Sequence, residues 1–349
     1  MSKKRIVAAV MGDGRIGLIK QDVPAVRPGT VLVRVHASLV SPGTELGGWH
    51  QLKAEAASPK KDFKPAPFGY ANAGVVAQVG EGVGDLAKGD RVACMGGGAA
   101  QHTDLAVVPH NLCVKLPDNV TFEQGAYAHL AATGLQALRR AEPQFGESFA
   151  VVGLGLVGQL TAMLLQLDGG YVIGWETLGP RQKIARKWGI DALVNPAGED
   201  AVAASLAFTG NFGLDGAVIA FGGDGTKAYE SLFQSLRKTS DGHRTGRIVV
   251  VGGAKLTIPW GTGNHDIRIS ARTGAGYHDD AWEVGADYPA AHMRWTTKTH
   301  LKLVVRLMSE GRLKVNTLTT HTMPLKDVEA GVANALNDPD RILGMVFTM

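Results

Sequence analysis

The sequence feature that most constrains the fold is a glycine pattern between a strand-like run and a helix-like run. Residues 151–158 read Val-Val-Gly-Leu-Gly-Leu-Val-Gly, which contains Gly-x-Gly-x-x-Gly. In a strand–turn–helix unit such glycines allow a tight turn, the approach of backbone to a pyrophosphate, and close packing of helix on strand. Free N–H groups at the helix start favour a negative charge there. We therefore expect a dinucleotide to contact Gly153, Gly155, Leu156, Val157 and Gly158.

An acidic residue follows the next strand-like run. Residues 171–175 lead directly into Glu176, eighteen residues after Gly158. This spacing is close to that expected for a carboxylate that accepts hydrogen bonds from ribose hydroxyls and repels a 2′-phosphate. The cofactor predicted on this basis is NAD rather than NADP. Arg181 leaves an alternative open, because a guanidinium there could stack on adenine or pair with a phosphate.

Short apolar runs alternate with helix-like runs through the middle of the chain. The runs that read as strands are residues 149–152, 171–175, 192–194, 216–220 and 247–251. Such alternation predicts an α/β fold with a parallel sheet covered by helices on both faces. Ligands of these sheets bind in the crevice at the carboxyl ends of the strands. Small residues after later apolar runs are further candidate nucleotide contacts or simple turns: Gly252, Gly253, Gly274 and Ala275.

The two ends of the chain have a different pattern. Strand-like runs at residues 5–10, 31–37 and 74–79 precede a helical period that begins near residue 122. After the alternating region, a helix is predicted at residues 301–309, with strands near Leu318 and Met345. The sequence therefore predicts β-rich structure on both sides of the α/β region.

Composition excludes several classes of protein. The 349 residues carry a formal net charge of only +4, scattered along the chain, so we expect neither nucleic-acid nor membrane-surface binding. Two cysteines, Cys94 and Cys113, are too few for a disulfide framework or a four-cysteine zinc cluster. The N-terminal residues lack the apolar region of a signal peptide, and no apolar run is long enough to span a bilayer. A reduced, cytoplasmic protein is expected.

Taken together and in order, these motifs resemble the medium-chain dehydrogenase/reductase superfamily over nearly the whole chain. The matching segments are residues 43–45 (Gly-Thr-Glu), Gly69, 74–80, 89–92 (Gly-Asp-Arg-Val), the nucleotide pattern and 320–325. The resemblance implies a GroES-like, β-rich catalytic domain at residues 1–128 and 277–349, and a doubly wound Rossmann domain at 129–276. Residues 41–45 and 69–72 resemble the branch that includes sugar, cyclitol and bacteriochlorophyllide dehydrogenases. Homodimers or homotetramers are usual in the superfamily.

The chain departs from the zinc-dependent members at the positions of their metal ligands. Pro42 stands where those members have a cysteine, and their Gly-His-Glu reads Gly69-Tyr70-Ala71. The closest match to their third ligand is His129. A catalytic zinc needs about three protein ligands from Cys, His, Asp or Glu. We therefore expect no metal here, although His129 and Glu45 retain atoms that could bind one.

The residues at the replaced metal site are candidates for proton transfer. Oxidation of a secondary alcohol requires removal of the hydroxyl proton and stabilisation of the developing ketone oxygen. By resemblance, Thr44, Tyr70 and His129 surround this site, with Tyr70 or His129 as acid/base and Thr44 as relay. Tyr70 could instead only fill the space left by the metal, and His129 could be a helix-end histidine. Glu45, beside the substrate, would orient a neighbour or pair with a basic residue.

Aromatic and polar residues provide candidate substrate contacts. Trp49 and His50 follow the Gly-Thr-Glu turn, and a second group is centred on Tyr277, His278, Trp282 and Trp295. Flat ring faces with hydrogen-bonding groups nearby suit a hydroxyl-rich ring, such as a sugar, glycoside or cyclitol. The second group could equally form a subunit contact, where Trp and Arg also concentrate.

The function predicted from these residues is an NAD-dependent, zinc-independent dehydrogenase that acts on a secondary hydroxyl of a small, hydroxyl-rich molecule. Three alternatives remain open at this point. They are an NADPH-dependent quinone or enoyl reductase, a zinc alcohol dehydrogenase with a displaced metal site, and a nucleotide-binding protein without catalytic activity.

Overall fold

A computed structural model describes residues 4–47, 64–259, 261 and 263–349. The chain forms two compact units: the first contains residues up to 132 together with 273–349, and the second contains residues 133–272. The expected domain boundaries, 128/129 and 276/277, lie four residues from these divisions. His129, Gly274 and Ala275, which the expected boundaries assign to the nucleotide-binding domain, therefore belong to the first unit.

The strands are numbered in chain order. They are β1 (Lys4–Val10), β2 (Ile16–Asp22), β3 (Thr30–Val40), β4 (Ala66–Pro67), β5 (Ala71–Val79), β6 (Arg91–Met95), β7 (Leu105–Pro109), β8 (Cys113–Lys115), β9 (Ser148–Val152), β10 (Tyr171–Trp175), β11 (Ala192–Val194), β12 (Gly216–Ile219), β13 (Gly223–Asp224), β14 (Thr245–Val251), β15 (Ala254–Lys255), β16 (Asn264–Ser270), β17 (Thr319–Pro324) and β18 (Gly344–Thr348).

The α-helices of the described residues are numbered in the same way. They are α1 (Phe122–Gly125), α2 (Ala128–Ala141), α3 (Leu156–Leu167), α4 (Gly179–Trp188), α5 (Ala201–Phe208), α6 (Thr226–Ser235), α7 (Asp280–Glu283), α8 (Thr297–Ser309) and α9 (Val328–Ala335). Local sequence defines several ends: Thr121 caps α1 and Thr296 caps α8 through reciprocal capping boxes, and Gly189 ends α4 in the left-handed conformation.

The first unit is built on a largely antiparallel sheet. Within the described residues its strand order is β17-β18-β3-β5-β6-β8, and β7 also pairs with β3. A smaller sheet has the order β2-β1-β4. Apolar side chains of β1, β3 and β18 pack against α9 to form a core that includes Val10, Val40, Val328 and Phe347. This is the β-rich unit that the two ends of the sequence predict.

The second unit is a parallel sheet with helices between its strands. Over the described residues its order is β11-β10-β9-β12-β14-β16, which is the doubly wound order 3-2-1-4-5-6. Strands β9, β12 and β14 are nearly continuous apolar runs with buried residues, as expected for strands covered on both faces. The predicted α/β fold class is confirmed, and five expected strands match β9 to β12 and β14 to within two residues.

No α-helix in the described part of the chain combines the length and the apolar character needed to cross a bilayer.

Candidate active site

The glycine loop lies between β9 and α3 in the second unit. Gly153 has φ +85°, a left-handed conformation that glycine adopts without strain. A Cβ on Gly158 would lie 1.9 Å from the Gly153 carbonyl oxygen, so only glycine allows α3 to pack this closely on the loop. Gly155 caps α3, and a Cβ there would meet only Arg181 Nη1, at 3.9 Å. The loop therefore has the backbone geometry of a pyrophosphate cradle at a helix start.

Glu176 follows β10 and faces this loop. Its side chain is only 5% exposed, and its two carboxylate oxygens accept from the Leu154 amide (2.8 Å) and the Leu178 amide (2.9 Å). Ionised carboxylates can accept about four hydrogen bonds, so lone pairs remain for ribose hydroxyls. Arg181 Nη1 lies 3.9 Å from Glu176, and Arg181 Nε is buried without a partner in the described residues. These residues fit a dinucleotide, because they offer an unused donor and acceptor beside an open glycine loop.

The other candidate nucleotide contacts are divided between the two units. Gly252 (φ +104°) and Gly253 follow β14, so they lie at the same carboxyl edge as the glycine loop. Gly274 and Ala275 belong to the first unit, where the Thr297 hydroxyl bonds the Gly274 carbonyl and Ala275 forms a bridge to Thr296. The sequence pattern placed all four beside one crevice, whereas the second unit contains only two of them.

Thr44 and Glu45 lie in the first unit on a π-helical turn, Pro42–Leu46, that begins directly after β3. The Glu45 amide donates to the Ser41 carbonyl (2.8 Å), and the Glu45 carboxylate accepts from the Ser41 amide (2.6 Å). The side chain thus closes its own turn. Short π-helical segments often occur at functional sites because they redirect side chains.

Tyr70 is positioned by the glycine that precedes it. Gly69 has φ +111°, and a Cβ there would lie 2.5 Å from the His102 amide nitrogen. The side chains of Ser41 and Thr44 hydrogen-bond to the Tyr70 phenol and act to lower its pKa. Burial, with the nearby charge of Glu45, outweighs them and raises the pKa of Tyr70 far above its usual value. The phenol is therefore neutral and can donate a hydrogen bond over the physiological pH range.

His129, in the first turn of α2, contacts both the backbone and the ring of Tyr70. Its Nδ1 lies 2.9 Å from the Tyr70 carbonyl oxygen, and the two rings meet edge to face at 4.7 Å. Because a carbonyl only accepts, Nδ1 carries the hydrogen of the neutral ring and Nε2 is its acceptor. Burial lowers the pKa of His129 to about 4. His129 is therefore a neutral imidazole whose Nε2 can accept a proton.

A buried histidine that the sequence did not indicate supports the same turn. His102 is fully buried, with Nε2 3.2 Å from Glu45 Oε1 and Nδ1 2.8 Å from Ser38 Oγ. The rings of Phe68 and Phe347 meet it edge-on. A carboxylate only accepts, so His102 Nε2 donates to Glu45. Ser38, His102 and Glu45 form a continuous hydrogen-bonded chain that ends at the turn carrying Ser41 and Thr44.

Comparison with known proteins shows what this chain is similar to. Residues 27–129 match the alcohol dehydrogenase GroES-like domain. The chain is 23% identical over 373 residues to an uncharacterised zinc-type alcohol dehydrogenase-like protein of Escherichia coli, YdjJ, covering 98% of this chain and 99% of the relative. Human sorbitol dehydrogenase is 27% identical over 277 residues (71% and 75% covered), and Bacillus subtilis (R,R)-butanediol dehydrogenase is 26% identical over 356 residues (91% and 92% covered). These matches confirm the expected resemblance to the medium-chain dehydrogenase/reductase superfamily.

Solved structures share the fold of this chain. An E. coli oxidoreductase of unknown specificity, ECK1772, superposes with TM-score 0.80 at 20% identity, covering 99% of both chains. An E. coli alcohol dehydrogenase, RspB, in complex with NADH gives TM-score 0.74 at 17% identity and 100% coverage of both. A dehydrogenase of Sinorhizobium meliloti named for zinc binding, with NADP bound, gives 0.77 at 17% identity, covering 99% and 100%. At these identities the likeness establishes the fold alone.

The positions that hold the metal ligands in the zinc-dependent proteins it resembles hold other residues in this chain. Pro42 and Ala71 have no side-chain donor, and the Tyr70 phenol is neutral. Within residues 4–47, 64–259, 261 and 263–349, no group of three or more His, Cys, Asp or Glu side chains is arranged to hold a metal ion. Of the described residues around Tyr70, only His129 and Glu45 keep side-chain atoms that zinc prefers, fewer than the three protein ligands of a catalytic zinc site.

The candidate substrate residues lie in different surroundings in this chain. Tyr277 lies 6.1 Å from the His129 ring, and its hydroxyl accepts from the Gly97 amide (2.8 Å). His278 is exposed, has φ +74° and stacks on Tyr277. Trp295 stacks on His300 and lies under the Arg294 guanidinium. Trp49 and His50 lie outside the described residues.

Trp282 does not offer its face to a ligand. It is 1% exposed and packs against Tyr288 and the backbone of Gly276, where a Cβ would lie within 2.5 Å of the indole ring. The expected aromatic cluster is therefore partly core. The Trp282 ring stabilises the connecting segment, whereas Tyr277 extends towards His129.

Proposed function

We propose that this chain is an NAD-dependent dehydrogenase that works without zinc and acts on a secondary hydroxyl of a polyol, sugar or cyclitol, or on the matching ketone. The coarser activity, a nicotinamide-dependent oxidoreductase for CH–OH groups, is that of its alcohol and polyol dehydrogenase relatives. Cofactor choice, the proton-transfer groups, the absence of zinc and the substrate class are each proposed from particular residues.

The preference for NAD rests on Glu176. Its buried carboxylate lies at the glycine loop, where it would accept hydrogen bonds from the adenosine ribose and repel a 2′-phosphate. Arg181 beside it reduces this repulsion, so we expect a preference for NAD rather than complete exclusion of NADP. When bound, the nicotinamide supplies the hydride acceptor or donor, and the protein handles the proton.

The observation that carries the proposal is the pairing of a neutral donor and a neutral acceptor at one place. The Tyr70 phenol donates because its pKa is raised, and His129 Nε2 accepts because its pKa is lowered. Loss of hydride from a secondary alcohol leaves a ketone and releases the hydroxyl proton. In our mechanism His129 Nε2 takes that proton while the Tyr70 O–H stabilises the oxygen on which charge develops. Ser41 and Thr44 position the phenol.

The zinc-independent mechanism follows from the same residues. A metal would polarise the substrate oxygen as a Lewis acid, whereas here the Tyr70 hydroxyl donates to that oxygen. Pro42 and Tyr70 replace two of the three ligands such a metal would need, and Ala71 replaces the glutamate beside them. Metal analysis of purified protein tests this step, and we expect turnover to persist after extensive dialysis against a chelator. A stoichiometric zinc whose removal abolishes turnover would contradict it.

A hydroxyl-rich substrate is proposed because the site combines rings with hydroxyl groups. Tyr70, His129 and Tyr277 are aromatic, and the Ser41 and Thr44 hydroxyls accompany the phenol. Polyols have apolar C–H faces and polar edges that suit such a surface. A panel of polyols, cyclitols and simple secondary alcohols, assayed with NAD and NADP, measures both preferences.

The decisive experiment compares turnover and nucleotide binding in two variants. We expect Tyr70→Phe and His129→Gln each to reduce kcat by about 100-fold or more, the usual contribution of a positioned acid or base. NADH affinity, measured by fluorescence titration, should stay unchanged because both residues lie in the first unit. Near wild-type turnover in both variants contradicts the mechanism. NADH binding without turnover on any substrate of the panel would favour a non-catalytic nucleotide-binding protein.

A further inference from the structure

The two cysteines of the chain lie directly opposite each other on neighbouring antiparallel strands. Cys94 on β6 pairs with Cys113 on β8, and their Sγ atoms are 3.5 Å apart. Both thiols are free, and the residues are 1% and 0% exposed. Opposed residues of antiparallel strands have Cα atoms about 4.5–5.5 Å apart, a separation that a disulfide spans without moving the backbone.

We propose that Cys94 and Cys113 form a reversible modification site, a cross-strand disulfide made by exchange with a small disulfide such as oxidised glutathione. The opposed thiols, already in van der Waals contact, need only a short approach to bond. Neither residue takes part in the mechanism proposed above, so this inference is independent of it.

The exchange requires one thiol to reach solvent. Burial and the neighbouring Cys94 raise the pKa of the Cys113 thiol, so the closed structure contains little thiolate at this position. Strand β8 has three residues and ends the described strand order beside β6. An edge strand is hydrogen-bonded to a neighbouring strand on one side only, so fewer backbone bonds break when it opens than when an interior strand does. We infer that β8 opens and exposes Cys113 first, while Cys94 remains on the interior strand.

A cavity beside β8 gives this opening room. It has a volume of about 400 Å³ and is lined by Val114, Lys115 and Pro117 on one side and by α8 residues such as Lys302 and Val305 on the other. Val114 is the residue next to Cys113, so the strand that must move has free space along its flank.

The chemistry balances as two successive exchanges. The Cys113 thiolate attacks one sulfur of oxidised glutathione, which forms a mixed disulfide and releases one glutathione thiolate. The Cys94 thiolate then attacks the Cys113 sulfur and releases the second glutathione. The two protein thiols are oxidised, one glutathione disulfide is reduced to two thiols, and the thiol protons pass to solvent and to the leaving thiolates. Excess reduced thiol reverses both steps.

The test uses the native, full-length protein with oxidised glutathione, followed by intact-mass measurement and alkylation after denaturation. We expect a loss of about two mass units, no alkylated cysteine, and recovery of both thiols with dithiothreitol. Persistent glutathione adducts, disulfide-linked dimers, or two alkylatable thiols after prolonged oxidation would each overturn the proposal. Because this measurement uses the wild-type protein, its outcome does not depend on whether a variant folds.

Two single variants test the order of the steps. Cys94→Ser should accumulate one glutathione adduct, on Cys113, because the resolving thiol is absent. The matched variant Cys113→Ser should react at least about tenfold more slowly, since β6 lies inside the sheet. Low, non-denaturing urea should accelerate the wild-type reaction if opening of β8 limits it. Equal rates for the two variants, or a rate unaffected by urea, would contradict the opening of β8.

Discussion

The glycine loop of the second unit and the Tyr70 cluster of the first unit are formed in opposite ways. The Tyr70 cluster comprises Thr44, Glu45, Tyr70, His129 and Tyr277. The loop and its carboxylate come from a single strand–helix–strand segment, and the Leu154–Glu176 hydrogen bond joins residues 22 positions apart. The Tyr70 cluster draws on distant segments: 59 positions separate His129 from the Tyr70 carbonyl, and 180 separate Tyr277 from Gly97. One site depends on local backbone geometry, and the other depends on long-range packing.

This difference shows which part of the enzyme is free to change its chemistry. The loop binds through backbone N–H groups at a helix start. It therefore requires glycines at certain positions but no particular side chain. In the Tyr70 cluster each function is carried by a particular side chain. Replacement of Cys-, His- and Glu-type metal positions by Pro42, Tyr70 and Ala71 can therefore alter the proton-transfer chemistry while the loop is unchanged.

Two glycine substitutions test whether the loop binds the nucleotide through its backbone, and their expected effects are the largest. Gly158→Ala places a Cβ 1.9 Å from the Gly153 carbonyl, so α3 must shift. We expect the free energy of unfolding to fall by about 3 kcal/mol, the upper end of overpacking effects, because the neighbouring atom is backbone. Affinity for NADH should fall with it. Urea unfolding and fluorescence titration measure the two quantities.

Gly155→Ala is the matched control for that substitution. Gly155 has φ −66° and a Cβ there would meet only Arg181 Nη1, at 3.9 Å, so the fold should be unaffected. The added methyl group lies where the backbone must approach a pyrophosphate, and we expect NADH affinity to fall about 10- to 100-fold from the loss of charged hydrogen bonds. Unchanged NADH affinity in Gly155→Ala would show that the nucleotide does not use this loop.

A substitution at His102 tests whether the Tyr70 cluster depends on particular side chains. His102→Leu removes the donor to Glu45 and the partner of Ser38 while keeping a buried side chain of similar size. We expect the free energy of unfolding to fall by about 2 kcal/mol, because a buried hydrogen bond to a charged group is lost. Turnover should fall as well, since Glu45 closes the turn that carries Thr44. NADH affinity should not change.

A double-mutant cycle with Glu45→Ala, which removes the acceptor oxygen, distinguishes this hydrogen bond from a loss of packing. If His102 acts through Glu45, the effect of His102→Leu should be much smaller in the Glu45→Ala background. His102→Gln, whose amide can still donate, should recover part of the stability. Additive effects of the two substitutions would mean that His102 contributes only its volume.

The fold was predictable from sequence where strands and helices alternate. Buried parallel strands are continuous apolar runs, so 171–175 and 192–194 were located to the residue. Strand β16 was missed because it reads Asn-His-Asp-Ile-Arg-Ile-Ser, with mostly polar residues on a strand at the edge of the described sheet. Edge strands need little apolar sequence, and hydrophobic pattern alone does not reveal them.

The site was predictable only where a local pattern or the family resemblance indicated it. Thr44, Tyr70 and His129 were named from resemblance, and the structure brings all three together. His102 was missed because its partners, Glu45 and Ser38, are 57 and 64 positions away and no local spacing relates them. Trp282 was grouped with candidate substrate or subunit contacts because composition does not distinguish a buried indole from an exposed one.

The smallest expected effect is a fall in the protein's free energy of unfolding at acid pH, caused by His129. Burial lowers the pKa of His129 to about 4, whereas an unfolded histidine has a pKa near 6.5. The folded state therefore binds this proton less readily, so its contribution to stability is intact above pH 6.5 and is lost as the pH falls towards 4. We expect wild-type protein to lose about 1 kcal/mol relative to His129→Gln between pH 7 and pH 5.5.

Urea unfolding of both proteins across that pH range measures the difference. Burial also lowers the pKa of His36, His265 and His321, and both proteins share these groups, so the comparison isolates His129. The glutamine introduced by His129→Gln has an amide that can donate to the Tyr70 carbonyl, which keeps the native hydrogen bond. Parallel stability profiles would mean that His129 is not held neutral by burial, and the neutral acceptor in the proposed mechanism would then be lost.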